Sequence, residues 1–363
     1  MSDKKTVMSG MRPTGKLHLG NYWGALKNWV SLQDEYECYF AVADWHMFTT
    51  GYEESGRLQE DIREMVLDWL TAGVSPERCT VFRQSLVPQH AELALLLSMV
   101  TPISWLENNP TYKEQLQELG KTKLTTALEE RGVLTKAMRE KLGGSPLEEV
   151  SPGSRETRLE LRTHGFLGYP VLQTADIVLY GAELVPVGQD QMAHVEISRE
   201  IVRRFNSIYG PVLTEPRGLL TPAAKVPGID ARKMSKSYGN SVELCETPED
   251  LRQKVMSMYT DPKKVRAHDP GHPEGCVVFA MHGLYSDFAD KREGECREGA
   301  VGCVACKKDL LKSMEKPFGE YRQAREKYSK PGLVDEILEE GSRRARDAAE
   351  AAMRRVRKAM NLS

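Results

Sequence analysis

No run of apolar residues in this 363-residue sequence approaches the ~20 that a bilayer-spanning helix needs. The opening Met1-Ser2-Asp3-Lys4-Lys5 runs straight into a short strand and lacks the apolar stretch of a secretory leader. Both absences argue against a membrane or exported protein, and the expected location is the cytoplasm. An excess of one charge is missing too: 50 Lys and Arg face 52 Asp and Glu, for a net charge of −2. That balance fits an ordinary soluble protein, although a local basic face can still carry a nucleic-acid contact. Cysteine is sparse outside one cluster, and Cys38, Cys79 and Cys245, each among apolar neighbours, read as reduced core residues. What is present is ample apolar material, 40% of a chain long enough for two domains, with a third possible.

Two stretches carry the strongest chemistry. A strand over Lys5 to Ser9 ends at Gly10, and Met11-Arg12-Pro13-Thr14-Gly15-Lys16-Leu17-His18-Leu19-Gly20-Asn21 leads into a helical pattern through Gln33. A strand, a glycine-rich turn and a helix start leave backbone N–H groups free for a phosphate, and glycine at 10, 15 and 20 lets it approach. More than 200 residues on, Arg232-Lys233-Met234-Ser235-Lys236-Ser237-Tyr238-Gly239-Asn240 sets two lysines three apart among small hydroxyl residues. Lysine is a compact, flexible cation suited to a polyphosphate. Either stretch alone is also compatible with a solvated turn.

The intervening chain alternates strands (Glu37 to Asp44, Cys79 to Arg83, Glu183 to Val187) with helices (Arg57 to Leu70, Pro88 to Val100, and from Gly188 to Phe205). Such alternation predicts an α/β fold with a parallel, doubly wound, Rossmann-like sheet and ligands at the strand carboxyl ends, where His46 and Ser85 fall. Residues 108–165 interrupt it with a charged stretch, helix-like over 113–142, that reads as an insertion. At helical spacing Tyr169, Gln173 and Asp176 share one face of an apolar segment, where polar groups are costly unless a network or a polar ligand satisfies them. Gly188, Asp190 and Gln191 stand at a further strand-to-helix junction, where an acid can accept from a ribose hydroxyl. Cys276, Cys296, Cys303 and Cys306, with gaps of nineteen, six and two, favour a metal site, and zinc or a [4Fe–4S] cluster both take four thiolates. From Asp309 on the chain reads as helical, and its last stretch, Arg343 to Lys358, holds seven basic residues on an amphipathic pattern, a solvated face or a phosphate-contacting one.

His18-Leu19-Gly20-Asn21 and Lys233-Met234-Ser235-Lys236-Ser237 together resemble the two ATP motifs of class I aminoacyl-tRNA synthetases. Asp44-Trp45-His46, Tyr169 to Asp176, the stretch 187–194 and Glu196-Ile197-Ser198-Arg199 are similar to the tryptophan/tyrosine branch, and most to its bacterial tryptophan-specific members that bear an iron–sulfur cluster. Three positions differ from the common pattern: Asn21 stands where many members have a second His, Gln173 where bacterial tryptophan enzymes have Met, and Arg12 where relatives have Gln. The Tyr-x3-Gln-x2-Asp spacing is also found in tyrosine enzymes, so tyrosine activation is the alternative, followed by an RNA-binding paralogue without ligase activity or a nucleotidyltransferase of the same superfamily.

The resemblance implies a ligase that activates tryptophan with ATP and Mg²⁺ and charges tRNA(Trp), acting as a homodimer without an editing site. It implies a catalytic domain over 1–107 and 166–245, the insertion 108–165, and a C-terminal all-helical, anticodon-binding domain over 246–363 with the cysteine cluster, [4Fe–4S] ahead of zinc. Carried over residue by residue, Lys233, Lys236 and His18 are catalytic. Arg12, Thr14, His18, Gly20, Asn21, Gly188, Asp190, Lys233, Met234, Ser235 and Lys236 hold ATP, while Met8, Ser9, His46, Tyr169, Gln173, Asp176 and Gln191 hold the amino acid.

Overall fold

A computed structural model describes residues 4–52, 55–114, 116, 163–220 and 226–362. Residues 115 and 117–162, most of the expected insertion and nearly all of its helix, lie outside the described residues, as do the side chains of Asp190 and Ser237. Five strands, β1 (Thr6–Met11), β2 (Glu37–Val42), β3 (Thr80–Arg83), β4 (Leu184–Val187) and β5 (Arg217–Leu220), form one sheet in the order β3-β2-β1-β4-β5. Every pairing is parallel, and β1 runs beside β2 in register from Thr6↔Glu37 to Met11↔Val42. Parallel strands are covered on both faces, which is why Phe40, Val42, Val81 and Phe82 are fully buried. The order reverses between β1 and β4, and that reversal opens a crevice outside their carboxyl ends.

Helix α1 begins at Leu19–Asn21, passes through a π-helical turn at Tyr22–Leu26 and finishes as Lys27–Leu32. It is followed by α2 (Asp44–Gly51), α3 (Leu58–Ala72), α4 (Gln89–Ser98), α5 (Ile103–Glu107), α6 (His164–Val178) and α7 (Met192–Tyr209). The expected strand to Asp44 stops at Val42 because Asp44 opens α2, where its carboxylate accepts from Ser85 N–H at 3.0 Å and Arg83 Nε at 2.6 Å. On one face of the sheet Trp29 stacks on Phe40, centroids 4.5 Å apart, with Trp69 of α3 edge-on at 5.1 Å.

The remaining helices are α8 (Pro248–Ser257), α9 (Val277–Tyr285), α10 (Ala289–Arg297), α11 (Cys303–Tyr328) and α12 (Leu333–Ala359). A separate apolar cluster joins Leu19, Met234, Val242 and Leu244 to Leu251, Val255, Met281, Leu310 and Phe318 of these helices. It ties the N-terminal turn and the lysine loop to the helical region. The basic stretch of α12 packs on the sheet through Ala345, Ala349, Met353 and Val356. Arg344 and Arg346 donate to backbone carbonyl oxygens of Cys79 and Leu86, and Arg357 pairs with Glu92, so much of that basic face is engaged by protein. No helix among the described residues is long and apolar enough to cross a membrane.

Candidate active site

A cavity of about 490 Å³ fills the crevice between β1 and β4. Its walls include Met8, Ser9, Arg12, His46, Tyr169, Gln173, Asp176, Gly188 and Gln191. The polar face expected of the Tyr169–Asp176 segment therefore points into open space: α6 presents Tyr169, Gln173 and Asp176 to one cavity. Val185 and Val187 at the end of β4 supply an apolar wall.

Asp176 forms the floor. It is 6% exposed, and three side chains donate to it: His46 Nε2 at 2.9 Å, His90 Nδ1 at 2.6 Å and Gln84 Nε2 at 2.8 and 2.9 Å. Burial pushes this carboxyl up, but the charge and hydrogen bonds of His90 with those of His46 outweigh it and hold the group down at about 2. The floor is therefore an anion at neutral pH. Nearby, the Tyr169 hydroxyl lies 3.4 Å from His194 Nε2. Gln84 and His90 escaped the reading of the sequence. His90 occupies the same face of α4 as Leu93 and Leu97, so the signal that marked Asp176, a polar group at core spacing, was available there too.

The two phosphate motifs meet beside this cavity. Leu19 N–H donates to the Val242 carbonyl at 2.9 Å and Leu244 N–H to that of Leu17 at 3.0 Å, so the N-terminal turn pairs with the chain just past the lysine loop. Lys236 Nζ donates to the Thr14 carbonyl oxygen at 2.5 Å. Gly15 has φ +75°, the left-handed region that favours glycine, and a Cβ there would also press on the Asp61 carboxylate at 2.8 Å. Burial, with Lys236 and then Lys233 close by, pushes His18 down to about 4. His18 and Asn21 close a capping box on α1, in which Asn21 N–H donates to His18 Nδ1 and Asn21 Oδ1 accepts from His18 N–H.

Between the lysines, Met234 is only 4% exposed and anchors the loop in the apolar cluster, so its side chain faces protein. Asn240, 2% exposed, accepts from Ser235 N–H at 2.8 Å and donates to Asp230 at 2.7 Å, holding the loop from below. The expected ATP set thus falls in two places. Arg12 and Gly188 line the cavity, whereas Thr14, His18, Gly20, Asn21 and residues 233–236 form the adjoining turn and loop. Asp190 contributes backbone to the turn Gln189–Gln191 next to Gly188.

Cys276, Cys296, Cys303 and Cys306 line a second, small cavity with Lys264, His272 and Arg292. None is disulfide-bonded, and they come from the start of α9, the end of α10 and the first turn of α11. No group of three or more His, Cys, Asp or Glu among the described residues is drawn together as a ready metal site. The donor chemistry and the shared cavity fit a thiolate-bound group, although the side chains are not closed around a single ion.

Comparison with known proteins places these features in context. Residues 2–129 and 152–319 match the model of the family described as tRNA synthetases class I (W and Y). The tryptophan–tRNA ligase of Aquifex aeolicus is 46% identical over 392 aligned residues, covering 98% of this chain and 99% of its own. That of Thermotoga maritima is 44% identical over 363, with 98% and 99% coverage. Among solved structures, the tryptophanyl-tRNA synthetase of Campylobacter jejuni, complexed with ADP and tryptophan, superimposes with a TM-score of 0.77 at 28% identity over 98% of this chain and 99% of its own.

Proposed function

We infer the reaction from one premise: the chain belongs to the class I tRNA synthetases of the tryptophan and tyrosine group. It is an aminoacyl-tRNA synthetase, a tryptophan–tRNA ligase that uses ATP to activate tryptophan and passes it to tRNA. The observation that carries the reading on this chain is the anionic floor of the cavity, since indole N–H is a donor only and Asp176, when ionised, an acceptor only. Apolar Val185 and Val187 line the same cavity, as an aromatic ring requires.

In this proposal Tyr169, Gln173 and Gln191 receive the α-ammonium group, with Met8, Ser9 and His46 completing the amino-acid pocket. Arg12, Gly188 and Asp190 face the nucleotide, and Thr14, His18, Gly20, Asn21 and the loop backbone at Met234 and Ser235 cradle its phosphates. The carboxylate of tryptophan attacks the α-phosphorus, forming the acyl–phosphate bond as pyrophosphate leaves, and the ribose hydroxyl at the tRNA 3′ end then displaces AMP. No protein nucleophile is needed. Catalysis comes from aligning the reactants, worth ~7–11 kcal/mol in well-oriented pairs, and from Lys233 and Lys236 placed where charge develops. Mg²⁺ enters on the ATP phosphates.

Pyrophosphate exchange measured separately with tryptophan and with tyrosine tests this. Exchange that depends on tryptophan is expected; exchange with tyrosine alone favours the tyrosine-specific alternative, for which Gln173 is the supporting residue.

The helical residues 246–363 we assign to tRNA contact, and the four cysteines to a [4Fe–4S] cluster with a structural role. Four cysteines on one cavity support a thiolate-bound group, and the preference for the cluster over zinc comes from the resemblance to iron–sulfur-bearing members. Anaerobic purification should give a brown protein with iron and sulfide in equal amounts; a colourless protein with one zinc would reverse the assignment. We also propose a cytoplasmic homodimer; the exposed apolar Leu95 of α4, Met99 just past its end and Ile103 of α5 support the pairing. Sedimentation as a monomer at micromolar concentration would remove it.

A further inference from the structure

Behind Asp176 stands a second layer of polar side chains that belongs to neither ATP motif. Gln84, past the carboxyl end of β3, and His90, at the start of α4, are both 0% exposed. Gln84 Nε2 donates to both carboxylate oxygens of Asp176, while its Oε1 accepts the Trp45 N–H at 3.1 Å. That pairing fixes the amide, because only its nitrogen can donate to a carboxylate and only its oxygen can accept from backbone. His90 Nδ1 lies 2.6 Å from Asp176 Oδ1, and its Nε2 lies 2.7 Å from the Tyr180 hydroxyl. An ionised carboxylate has no hydrogen to give, so the hydrogen of that contact is on Nδ1, and Nε2 pairs with the Tyr180 hydroxyl. Burial raises Tyr180 well above the usual phenol range, which keeps that hydroxyl protonated. Phe82 stacks on the His90 ring at 5.8 Å, and Tyr39 stacks on Tyr180 at 4.6 Å.

The third donor differs. His46 lines the open cavity and meets Oδ2 from the ligand side. Two donors thus grip Asp176 from the core, on side chains that are themselves held, and Oδ2 is the oxygen that the cavity residue His46 also meets. Burying an amide, an imidazole and a carboxylate costs more than apolar packing of the same volume, so stability alone gives no reason for the arrangement.

We propose that Gln84 and His90 are positioning residues that hold the Asp176 carboxylate in one orientation, Oδ2 toward the cavity, so that it accepts the ring N–H of the amino acid without reorganising. The gain is selectivity for substrates with a ring donor, since a preoriented acceptor loses most when that donor is missing. The inference rests on the reading of Asp176 as the ring acceptor.

The test compares tryptophan with its benzothiophene analogue, in which sulfur replaces the ring N–H, in pyrophosphate exchange. The unaltered enzyme prefers tryptophan. His90→Phe lowers the tryptophan-over-analogue ratio of kcat/KM roughly ten- to a hundredfold, the worth of a hydrogen bond to a charged group. His90→Asn, whose amide N–H falls near the Nδ1 position, restores part of the ratio. Gln84→Met gives the same loss and serves as the second variant should His90→Phe fold poorly by circular dichroism. A ratio unchanged in folded variants, with kcat/KM falling equally for both amino acids, overturns the proposal while leaving Asp176 as acceptor. An unaltered enzyme without preference for tryptophan overturns the acceptor assignment itself.

Discussion

Lys236 spans 222 positions of sequence to rest its ammonium on the Thr14 carbonyl oxygen, and burial lowers its proton affinity there. Such a cation is held at the mouth of the phosphate turn by a neutral acceptor that a phosphate oxygen outcompetes. If the contact is exchanged only as charge builds on the departing pyrophosphate, Lys236→Ala loses transition-state rather than ground-state binding. The expected result is a fall in kcat of roughly 10²–10³-fold with little change in the KM for ATP, read by steady-state pyrophosphate exchange. A raised KM at constant kcat contradicts it. His18, pushed down to about 4, is a neutral imidazole at working pH, so its part in the turn is hydrogen bonding rather than charge. The lysines and His18 were legible because their spacing is local; Gln84 and His90 were not, because their meaning arises only when β3, α4 and α6 converge on Asp176.

At the scale of elements, edge strand β3 is covered by α12. A Cβ on Gly341 would lie 1.8 Å from the Val81 carbonyl oxygen, and Ser342 Oγ accepts the Arg83 N–H at 3.1 Å. The helix thus approaches the strand backbone more closely than any side chain permits, and it satisfies an edge donor that would otherwise be buried without an acceptor. Gly341→Ala should destabilise by about 3 kcal/mol, because the obstructing atom is backbone and cannot rotate away. Ser342→Ala should cost about 1–3 kcal/mol through the orphaned N–H. Urea denaturation measures both, and losses below about 0.5 kcal/mol would show that α12 does not dock on β3 in solution. The amphipathic pattern of α12 was visible in the sequence, but not its target, since a helix that covers an edge strand reads like one lying on any apolar surface. Strands β1 and β2 were legible from their apolar runs. Strand β5 was not: Arg217–Leu220 is four residues long, contains Gly218 and is partly exposed, so it offers no periodicity to detect.

Across the whole molecule, α11 connects the thiol cavity to the proposed ATP turn. Its first turn bears Cys303 and Cys306, and near its other end Arg325 reaches Asp68 of α3. Asp68, 1% exposed, also accepts the Leu17 N–H at 2.6 Å, one residue before His18. One buried carboxylate therefore fixes a helix about 39 Å long to the turn proposed to hold phosphate. Burial pushes Asp68 up to about 6, with Arg325 pulling the other way. Arg325→Met removes the pull and leaves a buried anion, at a cost of about 3 kcal/mol where the carboxyl is ionised. A carboxyl whose folded value lies above its ordinary 3.8 adds stability at pH below 3.8, and that contribution is lost as pH rises through the folded value. Without Arg325 that value moves higher still, so the deficit of the variant should be larger at about pH 8 than at about pH 5. The double variant with Asp68→Asn, having no anion to strand, should recover much of the loss and flatten the pH dependence, as a double-mutant cycle in urea would report. The KM for ATP should rise in Arg325→Met more than that for tryptophan, because Leu17 lies in the turn and outside the amino-acid cavity. A deficit that is independent of pH and equal in the double variant would mean that α11 and the ATP turn are held together by packing alone.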